Sequence, residues 1–485
     1  MLQKFLSKYG LGTHLALLAA APLALTPFLD AEQLASVIFW LSALAVVWLL
    51  TEPSIRAGEH LSLARRRVRG TIVRDPLFWF LLLVLVYALV RLLNSGIELR
   101  YDPEQTAWLV GESQLGGGPS SVEGMGILPF AVALAILVVV MGIRHGIGLM
   151  ARAEFGIAGA LFAGVGGLVA VGFACGAVEP FSGWLRAGFA DAPFWASSFG
   201  VWFILGIACG VQAEARKWGF ARLPYVVGLA GNGAALVFFA PPLVALSWFV
   251  LGALVLIFSL VYLARASSKG AVARNLFLAL VGFAVPIFLM MTFVPEAERS
   301  LKIAGFDTAQ ALPEAYHQSA EALSRISRQI WVSHPWFGVG TGAYGLHVPF
   351  LAEKADWAVI PAQPKFALNG YWTLLAERGI VGCALPVLAL GMLLVAYVLR
   401  LVGAFFYLRH RDEADIFLFA VPPVAWCAPL VVLLVAAEAM VSPVFQTDTL
   451  FLTVLSALAL SVAAFPKAKA AVASDGGNVT ISSEK

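Results

Sequence analysis

The chain has 485 residues, of which 60% are hydrophobic and only 13% are charged, and its mean hydropathy is +0.86. A soluble domain is closer to half apolar and a quarter charged. Apolar runs of about 20 residues, the length that crosses a bilayer as a helix, recur along most of the sequence. This composition excludes an ordinary soluble enzyme and predicts an all-α, polytopic membrane protein.

About twelve apolar segments are predicted to span the membrane. The first resembles a signal peptide, but a second apolar run follows almost at once, so we interpret it as an uncleaved first helix. Residues 1–465 then form a single integral membrane domain, and the polar stretch 466–485 is predicted to be a disordered tail. The predicted spans are 11–29, 34–50, 76–93, 127–143, 155–174, 194–213, 223–240, 243–264, 276–294, 380–402, 416–436 and 449–465.

The distribution of Lys and Arg predicts the orientation of these spans. Basic residues concentrate on one side, for example in Arg65-Arg66-Arg67, whereas the short loops of the other side hold only Arg100 and Arg186 against several carboxylates. Cytoplasmic loops are the ones enriched in Lys and Arg. Both termini are therefore predicted to be cytoplasmic, and two large loops, 95–126 and 295–379, are predicted to lie outside.

The two outer loops differ in their predicted structure. Loop 95–126 contains a Gly- and Ser-rich stretch and is predicted to be irregular. Within loop 295–379, residues 313–331 carry apolar side chains at helical spacing, begin with Pro313 and end before His334-Pro335. This pattern predicts an amphipathic helix near the outer membrane–water boundary.

Two motifs lie at the end of the long outer loop. The first is His334-Pro335-Trp336-Phe337-Gly338-Val339-Gly340-Thr341-Gly342. The second is Asn369, nine further residues, Gly379, two further residues and Gly382. Together they resemble the signature of the O-antigen ligase and O-antigen polymerase family, the C-type glycosyltransferases of the bacterial inner membrane. Twelve spans, inside termini and a long loop before the tenth helix also resemble the ligase branch of that family.

The resemblance implies a substrate class and a location. Members of this family transfer a glycan from undecaprenyl pyrophosphate to an acceptor hydroxyl of a glycan or lipid, on the periplasmic face. The resemblance implies no metal or nucleotide cofactor and no nucleic acid partner, with membrane lipids as the surroundings. We therefore expect a polysaccharide ligase or polymerase of the inner membrane.

One position departs from the family pattern. The family carries a histidine directly before the position of Asn369, and this histidine is thought to act on the acceptor hydroxyl or to orient it. This chain has Leu368 there, and leucine neither donates nor accepts a proton. Either another group substitutes for the histidine, or the chain is a divergent or inactive member.

Three side chains of the long loop and its end are candidate catalytic groups: His347, His334 and Glu377. A histidine titrates near neutral pH and suits a general base, and His317 lies in the same loop. The alternative for His334 is a structural role in the turn before Pro335. The alternative for Glu377 is solvation at the mouth of the tenth helix.

Five residues are candidates for substrate binding: Arg325, Arg328, Lys365, Asn369 and Arg378. An arginine fork binds phosphate oxygens in pairs and stays charged, so it suits a diphosphate. The alternative for Arg325 is a surface pair with Glu321, and the alternative for Asn369 is capping of the following helix. Six aromatic side chains either stack on sugars or form an interfacial belt: Trp331, Trp336, Tyr344, Trp357, Tyr371 and Trp372.

Two further functions compete with glycosyl transfer. A transporter or flippase of lipid-linked sugars would need a polar path through the membrane, and the predicted spans carry almost no ionisable residues at mid-depth. A non-catalytic relative that binds a lipid-linked glycan during polysaccharide assembly is the other alternative, and Leu368 is its main support.

Overall fold

The fold was analysed in a computed structural model of the chain. Besides a few isolated positions, it describes residues 31–57, 70–102, 107–111, 118–123, 125–146, 196–214, 229–236, 242–266, 312–360, 366–409, 423–440 and 448–465. Several predicted features lie outside these residues: Lys365, the tail 466–485, the span 155–174 and nearly all of the spans 11–29 and 276–294. The side chain of His317 is also outside the description.

Helices make up most of the described chain. In chain order they are α1 (Ala31–Ala57), α2 (Pro76–Leu93), α3 (Ile127–Gly146), α4 (Ala196–Glu214), α5 (Pro242–Ala266), α6 (Leu312–Ser333), α7 (Tyr344–Leu351), α8 (Gly370–Arg409), α9 (Pro423–Glu438) and α10 (Asp448–Ala464). Proline opens α2 and α5, where its missing N–H costs nothing.

These helices confirm the predicted all-α class, and their length and composition are compatible with a membrane protein. Five of them, α1, α2, α3, α5 and α8, are long and apolar enough to cross a bilayer, and α4, α9 and α10 contain shorter apolar helices. All eight fall on predicted spans. Residues 229–236 are also helical, and they lie inside one further predicted span, 223–240. The full number of twelve spans stays a prediction.

Helix α3 lies at the centre of the membrane part. It packs against α1, α2 and α10, and α9 joins α10 to the α4–α5 pair. Large apolar side chains on the outward faces of other helices are exposed, including Trp40 on α1, Leu399 on α8 and Leu433 on α9. Exposed apolar side chains of this size are expected where a helix faces lipid.

Loop 95–126 is less irregular than predicted, because it contains four short strands. Strands β2 (Leu99–Asp102) and β3 (Ala107–Val110) form an antiparallel hairpin, and β1 (Ser95–Ile97) pairs in parallel with β4 (Ser121–Val122). A further bridge joins Ser121 to Thr341 of the long outer loop. This pairing satisfies the backbone of a segment that lacks helical spacing, and it joins loop 95–126 to loop 295–379.

The amphipathic helix of the long loop is confirmed as α6, but its apolar face is covered by protein. Leu323, Ile326 and Ile330 are buried in a second hydrophobic core, separate from that of the membrane helices. This core also contains residues of β1, α7 and the first turns of α8. Contact with the membrane surface is therefore not needed to bury the apolar face of α6.

Contacts between helix ends fit the predicted alternation of direction. At one end of the bundle, Gly370 N donates to Ala439 O, joining the start of α8 to the end of α9. At the other end, the Asp75 carboxyl before α2 accepts from Arg144 and lies 2.9 Å from His145 Nε2, both at the end of α3. In both cases the start of one helix lies beside the end of its neighbour, as expected for helices that are antiparallel in the predicted topology.

The predicted orientation gives a testable topology. Reporter fusions at Lys485 and near Asp307 are expected to lie on opposite sides of the membrane, since Lys485 follows the last span and Asp307 lies in loop 295–379. Activity of a periplasm-specific reporter at both fusion sites, or at neither, would contradict the predicted span count.

Candidate functional site

The two motifs of the sequence interlock at a break in α8. The loop after α6 runs alongside the break, and backbone groups of the two segments pair with each other. The four hydrogen bonds run from Val339 N to Ala376 O (2.9 Å), Gly340 N to Glu377 O (3.0 Å), Ile380 N to Pro335 O (2.9 Å) and Val381 N to Trp336 O (3.0 Å). Peptide groups that the break removes from the helical pattern are thereby satisfied, which an apolar setting requires.

Glycines at both sides of this contact are required by the geometry. Gly379 interrupts α8 with φ 62° and ψ −170°, a region that is nearly restricted to glycine. A Cβ on Gly379 would lie 2.4 Å from the carbonyl carbon of Trp336, and one on Gly338 would lie 2.4 Å from that of Glu377. The glycines of the two motifs therefore allow the backbone of the loop to lie directly against the backbone of α8.

The last glycine of the second motif makes room for α2. A Cβ on Gly382 would lie 2.4 Å from Tyr87 Oη. That hydroxyl donates to Arg378 O at 3.1 Å, one residue before the break. Helix α2 therefore satisfies another carbonyl freed by the break and is held against the start of α8.

Asn369 caps α8. Its Oδ1 accepts from Tyr371 N (3.0 Å) and Trp372 N (3.2 Å), and its Nδ2 donates to Met440 O (2.9 Å) beyond α9. The helix consequently starts at Gly370, ten residues before the predicted span. The amide of Asn369 is engaged at both ends, which favours the capping role over contact with a substrate.

Glu377 is buried, with 4% of its surface exposed. Its Oε1 accepts from Gly342 N at 3.1 Å, directly before α7. A carboxylate at a helix N-terminus stabilises the unpaired N–H groups there. The side chain of Glu377 therefore fixes the loop and α7 against α8, and it does not solvate the helix mouth.

His347 and His334 lie close to each other. Their ring centroids are 6.3 Å apart, with His334 exposed at the end of α6 and His347 half-buried in α7. His347 Nδ1 lies 2.9 Å from Ala343 O, and since a carbonyl only accepts, Nδ1 carries the hydrogen. Burial lowers the pKa of His347, so the neutral ring presents Nε2 as an acceptor.

The two outer arginines have different surroundings. Arg325 forms ion pairs with Glu353 (3.1 Å) and Asp356 (2.5 Å), and not with Glu321, the partner considered as the alternative. The Asp356 carboxyl also accepts from Glu353 N at 2.7 Å. Arg325 therefore links α6 to the segment after α7, and its charge is largely balanced. Arg328 lies about one turn further along α6 and is exposed.

The ion pair predicts an acid-sensitive contact. The hydrogen bond from Arg325 lowers the pKa of Asp356 in the folded protein. The ionised pair therefore stabilises the fold fully above the pKa of Asp356 in the unfolded chain, which is about 4. This stabilisation is lost as the pH falls through the lower pKa of the folded state. Asp356→Asn should reduce stability by about 1 kcal/mol near pH 7. Thermal unfolding in detergent measures this, and Glu353→Gln, at a more exposed partner, should have a smaller effect.

The aromatic candidates are divided between core and surface. Tyr344 is buried, and its hydroxyl donates to Leu323 O at 3.2 Å. Trp331 and Trp372 contact each other, with ring centroids 6.2 Å apart. Trp336 is 64% exposed, and Tyr371 donates through its hydroxyl to Ala436 O. Among these candidates, Trp336 therefore has the most exposed indole for contact with a sugar or a lipid, ahead of Trp357 at 39%.

A groove beside the break in α8 brings together Arg378 and Arg91, a residue that was not among the predicted site residues. The groove lies between α2, α3, α8 and α10, and both arginines and Tyr87 line it. Arg91 is only 4% exposed. An arginine inside an otherwise apolar predicted span is the signal that identifies such a residue in a sequence.

No known protein-family model matches this chain, and a comparison with curated proteins found no match.

Proposed function

We propose that the protein transfers a glycan from a polyprenyl diphosphate to an acceptor hydroxyl on the outer face of a bacterial inner membrane. The observation that carries the proposal is the placement of His347. The loop motif and the broken helix hold it in one outer unit with Glu377 and Arg378, and its Nε2 is left as a proton acceptor.

Such a transfer requires only a bound diphosphate donor and a group that accepts a proton. The diphosphate is a good leaving group, so the protein must hold it and accept the proton of the attacking hydroxyl. A positioned histidine contributes roughly 10²–10⁴-fold to a rate of this kind. His334, exposed beside His347, is suited to pass that proton on to water. Glu377 is engaged as the cap of α7, which leaves His347 the better candidate for the base.

Leu368 supports the second candidate function, a non-catalytic protein of polysaccharide assembly. Its side chain packs against the second hydrophobic core, so it acts there as an apolar residue. A protein of this kind would bind the lipid-linked glycan without transferring it.

Glycan profiling of a deletion strain separates these functions. Loss of capped surface polysaccharide would indicate ligation, and chains limited to a single repeat unit would indicate polymerisation. Purified protein should then transfer glycan from a polyprenyl diphosphate donor to its acceptor. Binding of the donor with no transfer would favour the non-catalytic protein, and neither binding nor transfer would remove the proposal.

A further inference from the structure

We infer that the groove between α2, α3, α8 and α10 binds the polyprenyl chain of the donor, with the diphosphate held between Arg91 and Arg378. This inference rests on the proposed function and names the site of its lipid substrate. It moves the diphosphate from the predicted Arg325 and Arg328 on α6 to two arginines on α2 and α8.

The walls of the groove suit a hydrocarbon chain. Apart from the arginines and Tyr87, the lining is apolar and includes Leu81, Val84, Val132, Ile136, Leu385 and Leu455. From Leu81 to Arg91, α2 rises by about 15 Å. Val84 and Leu385 are only half-buried, so the groove is open along part of its length. A single chain can enter it from the side.

The arginines mark one end of the groove. Arg91 lies in the last turn of α2 and Arg378 directly before the break in α8, so both stand at the end nearest the outer loops. The Arg91 guanidinium lies 5.6 Å from the Tyr87 ring centroid, and its Nε donates to Ser120 O at 3.5 Å. A groove with apolar walls and two guanidinium groups at one end suits an amphiphile with a hydrocarbon chain and an anionic head.

Charge favours a diphosphate over the head of a bilayer phospholipid. Among the described residues that line the groove there are two arginines and no carboxylate. Glu377 is near enough to attract both guanidiniums, but a single carboxylate cannot neutralise two guanidinium groups, so the local charge stays positive. A diphosphate offers more charge and more acceptor oxygens to two arginine forks than a phosphodiester does.

Direct binding tests this inference without requiring transfer. Purified protein in lipid nanodiscs is titrated with geranylgeranyl diphosphate, with inorganic diphosphate and with phosphatidylglycerol. Geranylgeranyl diphosphate should bind more tightly than inorganic diphosphate, and phosphatidylglycerol should not displace it. Arg378→Gln and Arg91→Gln should each weaken its binding by about tenfold or more.

Control variants make the result decisive. Arg400→Gln removes an exposed arginine at the other end of α8 and should bind like the wild type. Because Arg91 is buried, Arg91→Lys is included to keep the charge while losing the fork, and it should fold and bind more weakly. Ala88→Phe places a ring in the groove and should weaken binding of geranylgeranyl diphosphate but not of inorganic diphosphate.

Two outcomes would overturn the assignment. One is wild-type affinity in Arg378→Gln and Arg91→Lys, especially if Arg328→Gln weakens binding instead. The other is equal competition by phosphatidylglycerol. Failure of the proposed function has a different signature, because the groove would then bind geranylgeranyl diphosphate while no glycan is transferred. Transfer by a protein whose groove variants bind normally would retain the function and remove the site.

Discussion

Gly379→Ala is expected to destabilise the contact between α8 and the loop after α6 by about 2–6 kcal/mol and to abolish transfer. The new Cβ would lie 2.4 Å from the carbonyl carbon of Trp336, and alanine is strained at φ 62° with extended ψ. Backbone strain of this kind costs about 1–3 kcal/mol, and overpacking adds a similar amount. Thermal unfolding in detergent, together with the transfer assay, measures both effects.

Helix α8 provides its own control for this substitution. Gly391 lies on the same helix with nothing within 4 Å of an added Cβ, so Gly391→Ala should be neutral or slightly stabilising because alanine is the better helix former. Gly338→Ala should behave like Gly379→Ala, since it faces the same contact from the loop. Equal stability of Gly379→Ala and Gly391→Ala would show that the two motifs do not interlock as described.

His347→Asn is expected to lower turnover by roughly 10²–10⁴-fold, the usual contribution of a general base. Asparagine keeps an amide donor that can bond to Ala343 O but has no basic nitrogen. Donor binding and thermal stability should change little, because the residue is only half-buried. The measurement compares turnover with the affinity for geranylgeranyl diphosphate in the same preparation.

The pH profile separates this role from a structural one. Burial lowers the pKa of His347 below its usual 6.5, so the ring stays neutral, and able to accept a proton, to more acidic pH. Wild-type turnover should therefore fall only below about pH 6.5, and this acid limb should be missing from the residual activity of His347→Asn. Leu368→His should raise turnover where the pocket admits the ring. If His347→Asn, His334→Ala and Glu377→Ala all retain full turnover, the base lies elsewhere.

The break in α8 explains why the two motifs occur together. A membrane helix that is interrupted exposes peptide groups, and such groups are tolerated only where protein satisfies them. The loop from Pro335 to Gly340 supplies those partners, and Tyr87 of α2 supplies one more. The same arrangement brings the loop, His334, His347 and Arg378 to one end of the bundle.

The helical class of the fold and the positions of its main helices follow from local features of the sequence. Lengths of apolar sequence predict spanning helices because only a helix of about 20 residues satisfies its own backbone across a bilayer. Helical spacing likewise predicted α6, and the asparagine before Gly370 indicated a cap. These signals are local, so they can be read without knowing what each element packs against. Strands β1 and β4 of loop 95–126 escaped prediction because they are only three and two residues long and pair with each other across most of the loop. The bridge from Ser121 to Thr341 reaches still further along the chain.

Only the tertiary structure decided which side chains meet. Arg91 and Arg378 are 287 positions apart and converge because Tyr87 and Gly382 pack α2 against α8. Arg325 looked available for phosphate in the sequence, yet Glu353 and Asp356 approach it across a turn. Glu377 looked solvent-facing until the fold brought Gly342 N to its carboxyl. Charge pairing acts through space, with an energy that depends on distance and burial, and the order of residues fixes neither.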